Sequence, residues 1–221
     1  MASARISRLP LSPASDGRLL DDHRFRDLLS DEDWGRLPVA IWRRFSKRLG
    51  EGKTVVYIGE VDDASFSPVG WWVAQIARVI GGPLPTGRET GVPIIVTVTE
   101  DAASGGQIWT RICARRDGFP QVIHSAKRFA GPTGLEEYVG FGVSMELVLS
   151  VPNEALCFRS VGYALRLGRF RLPLPELLTP GDLTVTHADL GDGRFRFTLE
   201  IDHPRFGMLV RQSAVFQEAA S

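Results

Sequence analysis

Hydrophobic and polar residues alternate along much of the second half of the chain. One run spans residues 194–202, where every second residue is apolar: Phe195, Phe197, Leu199 and Ile201. Another spans residues 143–150 and contains Val143, Met145, Leu147 and Leu149. A two-residue period is typical of antiparallel strands that bury one face and leave the other in water. Both segments are therefore predicted to be strands of an antiparallel sheet.

Eight strand-like runs follow one another from about Pro93 onward, and turn-forming residues separate them. The runs are residues 92–100, 107–115, 121–129, 141–151, 155–167, 183–190, 194–202 and 207–216. Their short links favour hairpins between neighbouring strands over long crossover connections. A sheet with this many strands is expected to curl or close, because open strand edges invite aggregation.

Two helices are expected before this sheet, with a strand at residues 53–61 between them. The first follows Pro38 and repeats an apolar residue every four positions, at Leu37, Ile41, Phe45 and Leu49. The second begins at Ser67, a favourable helix cap, and stops at Gly81. Its apolar stripe predicts one buried face that consists of Val69, Trp72, Val73, Ile76 and Ile80.

The predicted fold is α+β and mostly antiparallel β. It is a strongly curved sheet or barrel of about eight to nine strands, with two N-terminal helices packed on it or in it. Residues 1–20 are rich in serine, proline and arginine, so they are predicted to be a disordered leader. Residues 21–218 are predicted to form a single curved-sheet or barrel domain.

The charge balance removes some classes of partner. Among 221 residues, Lys and Arg number 26 and so do Asp and Glu, so the formal net charge is zero. A neutral chain lacks the long-range attraction that captures nucleic acid or an anionic membrane, although a local patch remains compatible with it. No apolar run is long enough to span a membrane, so a cytoplasmic protein is expected. Cys113 and Cys157 are expected to be small buried thiols.

An ordered set of segments resembles a bacterial family known as domain of unknown function 4166. The segments are LPVAIWRRF, VGWWVAQIARVIGGPLPTG, VPIIVTVTE, IWTRICARRDGFPQVIHSAKRF, GLEEYVGFGVSMELVL, LRLGRFRLPLPELLTP and DGRFRFTLEIDHPRFGMLVRQSAVF. Together they cover roughly Leu37 to Phe216.

The resemblance implies an architecture and a class of partner. Members of the family often lie C-terminal to a saccharopine-dehydrogenase-like NAD(P)-binding domain, which implies an NAD(P)-dependent oxidoreductase as a partner. This chain has no Gly-rich phosphate loop after a strand. It also has Arg211–Gln212 where the family usually has Arg-Tyr. Neither a reaction nor a cofactor follows from the resemblance.

Trp109 and Arg111 are the leading candidates for a ligand site. They lie two residues apart in one predicted strand, so their side chains share a face with Cys113. If that face is interior, Arg111 is a buried cation that needs a carboxylate, and Glu136 or Glu137 at the next strand start can supply it. Two interpretations stay open. Arg111 grips an acidic ligand, or its ion pair only fixes the register of the strands.

His124 is a further candidate ligand contact, with an ordinary strand side chain as the alternative. No histidine spacing indicates a metal and no serine motif indicates a nucleophile, so no metal site or catalytic residue is assigned. Arg166, Arg169 and Arg171 form a basic streak that suits phosphate. Alternation places this streak on a wet strand face, which favours a solvated edge.

The sequence is compatible with three functions. The first is a binding module whose pocket takes a lipid-like or acidic small molecule near Trp109, Arg111 and Glu137. The second is an enzyme, or an accessory domain acting with an NAD(P)-dependent oxidoreductase, in which Glu137 is the general base and Arg111 stabilises an anion. The third is a scaffold without a ligand that forms a homodimer through an exposed strand edge, which a near-zero net charge favours.

Overall fold

Ten strands close into a barrel in the computed structural model, which describes residues 20–50 and 53–219. The strands are β1 (Leu20–Asp21), β2 (Lys47–Arg48), β3 (Thr54–Phe66), β4 (Pro93–Asp101), β5 (Gly106–Cys113), β6 (Gln121–Arg128), β7 (Glu136–Gly140), β8 (Val143–Ser150), β9 (Leu156–Leu167), β10 (Phe170–Pro173), β11 (Asp182–Gly191), β12 (Arg194–His203) and β13 (Gly207–Glu218). The helices are α1 (Asp31–Arg36), α2 (Val39–Phe45) and α3 (Pro68–Ala77). One-turn 3-10 helices span Arg26–Leu28, Arg78–Ile80, Pro152–Glu154 and Glu176–Leu178. The predicted disordered leader lies, except for its last residue, outside the described residues.

The strand order makes the barrel continuous. Around the ring the strands run β3, β4, β5, β6, β7, β8, β9, β11, β12 and β13, and β13 pairs with β3 to close it. Each of these pairs is antiparallel. β10 lies beside the second half of β9, whose first half pairs with β11. The prediction of a mostly antiparallel curved sheet or barrel is therefore confirmed.

The sequence pattern identifies every barrel strand except β7. Glu136 and Glu137 open this strand and both are buried, so β7 shows no alternation of polar and apolar residues. The short β10 also lies outside the predicted set. β3 is longer than expected, since it continues to Phe66 instead of ending near residue 61. The unpredicted β7 and β10 account for the difference between the nine predicted strands and the 11 strands of the described sheet.

The N-terminal helices close one end of the barrel. Helix α2 ends at Phe45, one turn before Leu49, because the chain then forms β2 and pairs with β1. The apolar repeat still points inward, since Ile41, Phe45 and Leu49 are all buried. Phe25 packs edge-on against Phe45 and Phe158, with ring centroids 5.3 and 6.1 Å apart. This aromatic group fills the closed end of the barrel.

Helix α3 crosses the opposite end of the barrel, which we call the mouth. At its start, the Ser67 backbone N–H donates to the Leu209 carbonyl in β13. After the 3-10 turn Arg78–Ile80 that follows α3, Gly81 adopts a φ of +106°, and a Cβ there would lie 3.4 Å from the Val139 carbonyl oxygen in β7. Strands β13 and β7 lie on opposite sides of the ring. The helix therefore spans the mouth from one wall to the other.

The predicted buried face of α3 is wrong. Trp72 and Ile76 are 62% and 68% exposed, while Gly70 and Ala74 are the buried positions. The helix lies so close to β13 that a Cβ on Gly70 would overlap the Leu209 carbonyl group. Because α3 packs through its smallest residues, several of its large apolar side chains turn toward the solvent.

Candidate ligand-binding site

The barrel encloses a cavity of about 600 Å³. Every strand of the ring except β3 contributes lining side chains, and most of them are apolar. Representative apolar residues are Ile94, Val96, Met145, Phe158, Phe197 and Leu199. Pockets for small molecules typically measure about 300–1,000 Å³ and are lined in this way. The interior is thus large enough for a ligand.

One wall of the cavity carries polar side chains from β5, β6 and β7. The lining includes Trp109 and Arg111 of β5, Ser125 and Lys127 of β6, and Glu137 of β7. The antiparallel register brings these groups together, because Ser125 lies opposite Trp109 and Lys127 lies opposite Glu137. Alternation along each strand turns all five side chains toward the interior.

Lys127 and Glu137 form a buried ion pair in this wall. The Lys127 Nζ donates to Glu137 Oε2 at 3.0 Å, and the two side chains are only 9% and 10% exposed. The ammonium group also lies 4.9 Å from the ring centroid of Trp109 and 5.2 Å from that of Phe158. Two aromatic faces and one carboxylate therefore compensate the charge of Lys127.

Arg111 adds a second cation to the same wall. Its Nη2 donates to the Pro83 carbonyl oxygen at 3.2 Å, in the segment that follows α3. Among the residues that the structure describes, no carboxylate forms an ion pair with Arg111. With two cations and only Glu137 as an anion, the wall carries one surplus positive charge.

Glu137 remains ionised despite its burial. Burial raises the pKa of the carboxyl group, but the Lys127 charge, the Ser125 hydrogen bond and the Arg111 charge outweigh it. The pKa of Glu137 therefore lies below its ordinary value. Tyr163 of β9, which β8 separates from β7, donates to the Gly181 carbonyl oxygen at 2.9 Å, and burial raises its pKa to about 12. The phenol is thus a neutral group at physiological pH.

The cavity opens between two apolar borders at the mouth. Ile76 and Ile80 form one border, on α3 and the 3-10 turn that follows it. Leu174, Leu177 and Leu178 form the other, in the segment between β10 and β11. Ile76, Leu177 and Leu178 line the cavity and are also 68%, 75% and 71% exposed. A molecule that enters the barrel here meets hydrocarbon on both sides.

The candidate residues of the sequence divide between the inside and the outside of the barrel. Trp109, Arg111 and Glu137 line the cavity. Glu136 does not, because its carboxylate accepts from Arg171 Nη1 at 2.6 Å on the opposite face of β7. His124 is exposed, and its Nδ1 lies 3.0 Å from the Thr110 hydroxyl oxygen. Adjacent residues of a strand face opposite sides, so Glu136 and Glu137 cannot share a site.

Lys127 and Ser125 are the site residues that sequence reasoning missed. The alternation that turns His124 outward turns both of them inward, and this signal was available in the sequence. The expected partner of Arg111 was a glutamate, whereas the structure pairs Glu137 directly with Lys127. Only the register between β6 and β7 reveals that pairing.

Two cysteines and one histidine are buried outside this polar wall. Cys113 and Cys157 are free and buried, as expected, and burial raises the pKa of Cys113. His187 is 1% exposed and lies among aromatic rings, with its Nε2 3.1 Å from Arg44 Nη1. Its Nδ1 has no hydrogen-bond partner in the described part of the chain. Burial, reinforced by the Arg44 charge, holds the pKa of His187 well below its ordinary value.

These features define a class of protein: a closed antiparallel β-barrel with an apolar interior cavity and charged groups on one wall. The chain belongs to the family described as Domain of unknown function (DUF4166), which it matches over residues 37–216. The match extends from the residue before Pro38 to the last strand of the barrel. Searches of curated proteins and of solved structures each gave no match. Within residues 20–50 and 53–219, none of the helices has the length and apolar character needed to cross a membrane.

Proposed function

We propose that the barrel binds an amphipathic small molecule with an aliphatic body and an acidic head group. The observation that carries this proposal is the cavity of about 600 Å³, which is mostly apolar but has Arg111, Lys127 and Glu137 on one wall. An apolar pocket with a few converging polar groups is the usual form of a small-molecule site.

The apolar part of the ligand would occupy the space between the aliphatic and aromatic walls. Contacts with Met145, Phe158 and Leu199 would remove hydrocarbon from water, which stabilises binding by roughly 25 cal/mol per Å² of apolar surface. The opening presents hydrocarbon to such a chain on both borders, at Ile76 and at Leu178.

The acidic head group would lie against Arg111. Its guanidinium group offers donors in a planar fork that matches a carboxylate or a phosphate. Within the described chain only its Nη2 donates, to Pro83, so further N–H groups remain for a ligand. Lys127 is already paired with Glu137, and the surplus positive charge of this wall therefore belongs to Arg111.

A pair of matched ligands tests this proposal. Oleic acid and oleyl alcohol share an aliphatic chain and differ in the charge of the head group. We expect the acid to bind about tenfold or more tightly than the alcohol, because only the acid forms a charge-assisted pair with Arg111. Displacement of a fluorescent apolar probe from the purified protein measures both affinities.

Arg111→Met is the informative variant, since it keeps an aliphatic side chain in the wall. It should bind the two ligands with similar affinity. Arg196→Met is the matched control, because Arg196 pairs with Asp62 on the exposed outer face. If the wild type binds neither oleic acid nor oleyl alcohol, the proposal is wrong. Equal binding of acid and alcohol by the wild type would remove the role of Arg111.

Two alternatives receive less support from the same geometry. An enzyme that uses Glu137 as general base needs a carboxylate of raised pKa near neutral pH, whereas the pKa of Glu137 is lowered. A scaffold that pairs through strand edges has few edges to use, because the ring is closed and β10 supplies a short free edge beside it. An NAD(P)-dependent oxidoreductase as partner stays a prediction from the family resemblance.

A further inference from the structure

Large hydrophobic side chains are exposed mainly at the mouth of the barrel. Trp72, Ile76 and Val79 form one face of α3 and its following turn, and they are 62%, 68% and 78% exposed. Phe141, in the turn between β7 and β8, is 72% exposed. At the closed end, by contrast, Val39 and Leu190 are the exposed large hydrophobics among the described residues. The exposed apolar surface is therefore polarised toward one end of the molecule.

Part of this surface forms a continuous arc around the cavity opening, which we call the rim arc. It consists of residues 72–82, the turn 141–142 and the hairpin 165–172. These segments touch, since a Cβ on Gly81 would lie 4.0 Å from the Phe141 ring. The Arg166 backbone N–H also donates to the Gly142 carbonyl oxygen at 2.8 Å.

The rim arc is basic as well as apolar. It contains Arg78, Arg166, Arg169 and Arg171 but no aspartate or glutamate. Arg171 pairs with Glu136 and Glu146, and Arg166 lies 3.9 Å from Glu136, whereas Arg78 and Arg169 form no ion pair with any described residue. Arginines interleaved with Leu167 and Phe170 therefore lie along one side of the opening, although the chain as a whole is neutral.

We propose that the rim arc docks on the surface of an anionic phospholipid bilayer, so that the ligand passes directly between the bilayer and the cavity. This inference rests on the proposed function, because an amphipathic ligand is poorly soluble and is stored in membranes. Aromatic and aliphatic side chains enter the interface of a bilayer, while arginines bind anionic head groups. The apolar borders of the opening would then face the lipid chains, and the ligand would avoid water during transfer.

Vesicle sedimentation tests the docking step. The full-length protein is mixed with vesicles of phosphatidylcholine alone or of phosphatidylcholine with phosphatidylglycerol. We expect the protein to sediment with the anionic vesicles and to remain in the supernatant with the neutral ones. Trp72→Ser combined with Val79→Ser should lower the partition coefficient about tenfold or more, because both side chains are exposed on the rim and neither lines the cavity.

The matched control removes equivalent apolar groups from the wall of the barrel. Ile58 and Val122 are each 46% exposed on β3 and β6, and Ile58→Ser combined with Val122→Ser should leave sedimentation unchanged. Equal loss in the rim and wall variants would overturn the proposal. So would a wild-type protein that stays in the supernatant with anionic vesicles. A wild-type dimer in light scattering that the rim variant abolishes would also overturn it, because a second copy would then cover the rim.

Oleic acid binding without vesicles separates this inference from the proposed function. The rim variant should bind oleic acid in solution as the wild type does, since its cavity is intact. If the wild type binds oleic acid but ignores anionic vesicles, docking fails and the proposed function stands. If it binds neither oleic acid nor oleyl alcohol, the proposed function fails and transfer from the bilayer fails with it.

Discussion

Replacing Glu137 with glutamine would leave Lys127 buried without its counter-ion. The Nζ–Oε2 distance of 3.0 Å and the side-chain exposures of 9% and 10% describe a pair that is nearly removed from water. Removing one member of such a pair costs about 3–5 kcal/mol, since the remaining charge stays desolvated. The glutamine oxygen can still accept from Lys127, and the rings of Trp109 and Phe158 still face its ammonium group. We therefore expect a loss of about 3 kcal/mol in the free energy of unfolding.

Urea unfolding at neutral pH, followed by tryptophan fluorescence, measures this loss. The double variant Lys127→Met with Glu137→Gln removes the stranded cation and should recover most of the stability, because apolar replacement of a buried pair is often close to neutral. Glu200→Gln is the matched control on the outer face, where Glu200 pairs with the exposed Arg211. That control should change the free energy of unfolding by at most about 1 kcal/mol.

Two outcomes would refute the reasoning about this pair. A Glu137→Gln variant within about 0.5 kcal/mol of the wild type would mean that water screens Lys127, contrary to its burial. A double variant as unstable as the sum of the two single variants would mean that the side chains do not interact. Either result would also weaken the assignment of the surplus positive charge to Arg111.

Two further predictions concern His187 and Gly70. Because the folded-state pKa of His187 lies well below 6.5, the unfolded chain binds more protons below that pH. The free energy of unfolding should therefore fall as the pH drops below about 6.5, by up to roughly 1.4 kcal/mol per pH unit. The His187→Leu variant should not show this part of the decrease when urea unfolding is measured at several pH values. Gly70→Ala should lower the free energy of unfolding by about 1–3 kcal/mol, because the new Cβ would overlap the Leu209 carbonyl group. Gly35→Ala is the control and should not lower it, because there is open space around Gly35. Thermal unfolding of both variants measures the difference.

Local patterning in the sequence was sufficient for most of the barrel. The inward residues of β12, from Phe195 to Ile201, are spaced at every second position, and strand identity follows from that spacing alone. The pattern failed at β7, where Glu136 and Glu137 are both buried because each has a cationic partner on its own side of the sheet. No local rule predicts such partners, since Lys127 is placed by the register of β6 with β7, and Arg171 comes from β10, which pairs with β9 and not with β7.

The candidate site was predictable in part for the same reason. Trp109 and Arg111 share a strand face, so their common side was readable, and the need of a buried cation for a carboxylate pointed to Glu136 or Glu137. Which carboxylate faces inward depends on the register of β7, and the partner of Glu137 depends on the register of β6. Register depends on which face of a strand is buried and on the geometry of the turns, and in β7 the two adjacent buried glutamates hide which face is the inner one.

The departures from ordinary patterning occur together around the cavity. Inside the barrel, Arg111, Lys127 and Glu137 occupy positions that a solid apolar core would fill with hydrocarbon. At the mouth, Trp72 and Ile76 occupy positions that a helix in water would give to polar residues. Each departure costs stability, and sequences retain such costs mainly at functional sites. The inverted polarity begins at the rim and ends at the charged wall, so the single route proposed for an amphipathic ligand would account for both departures.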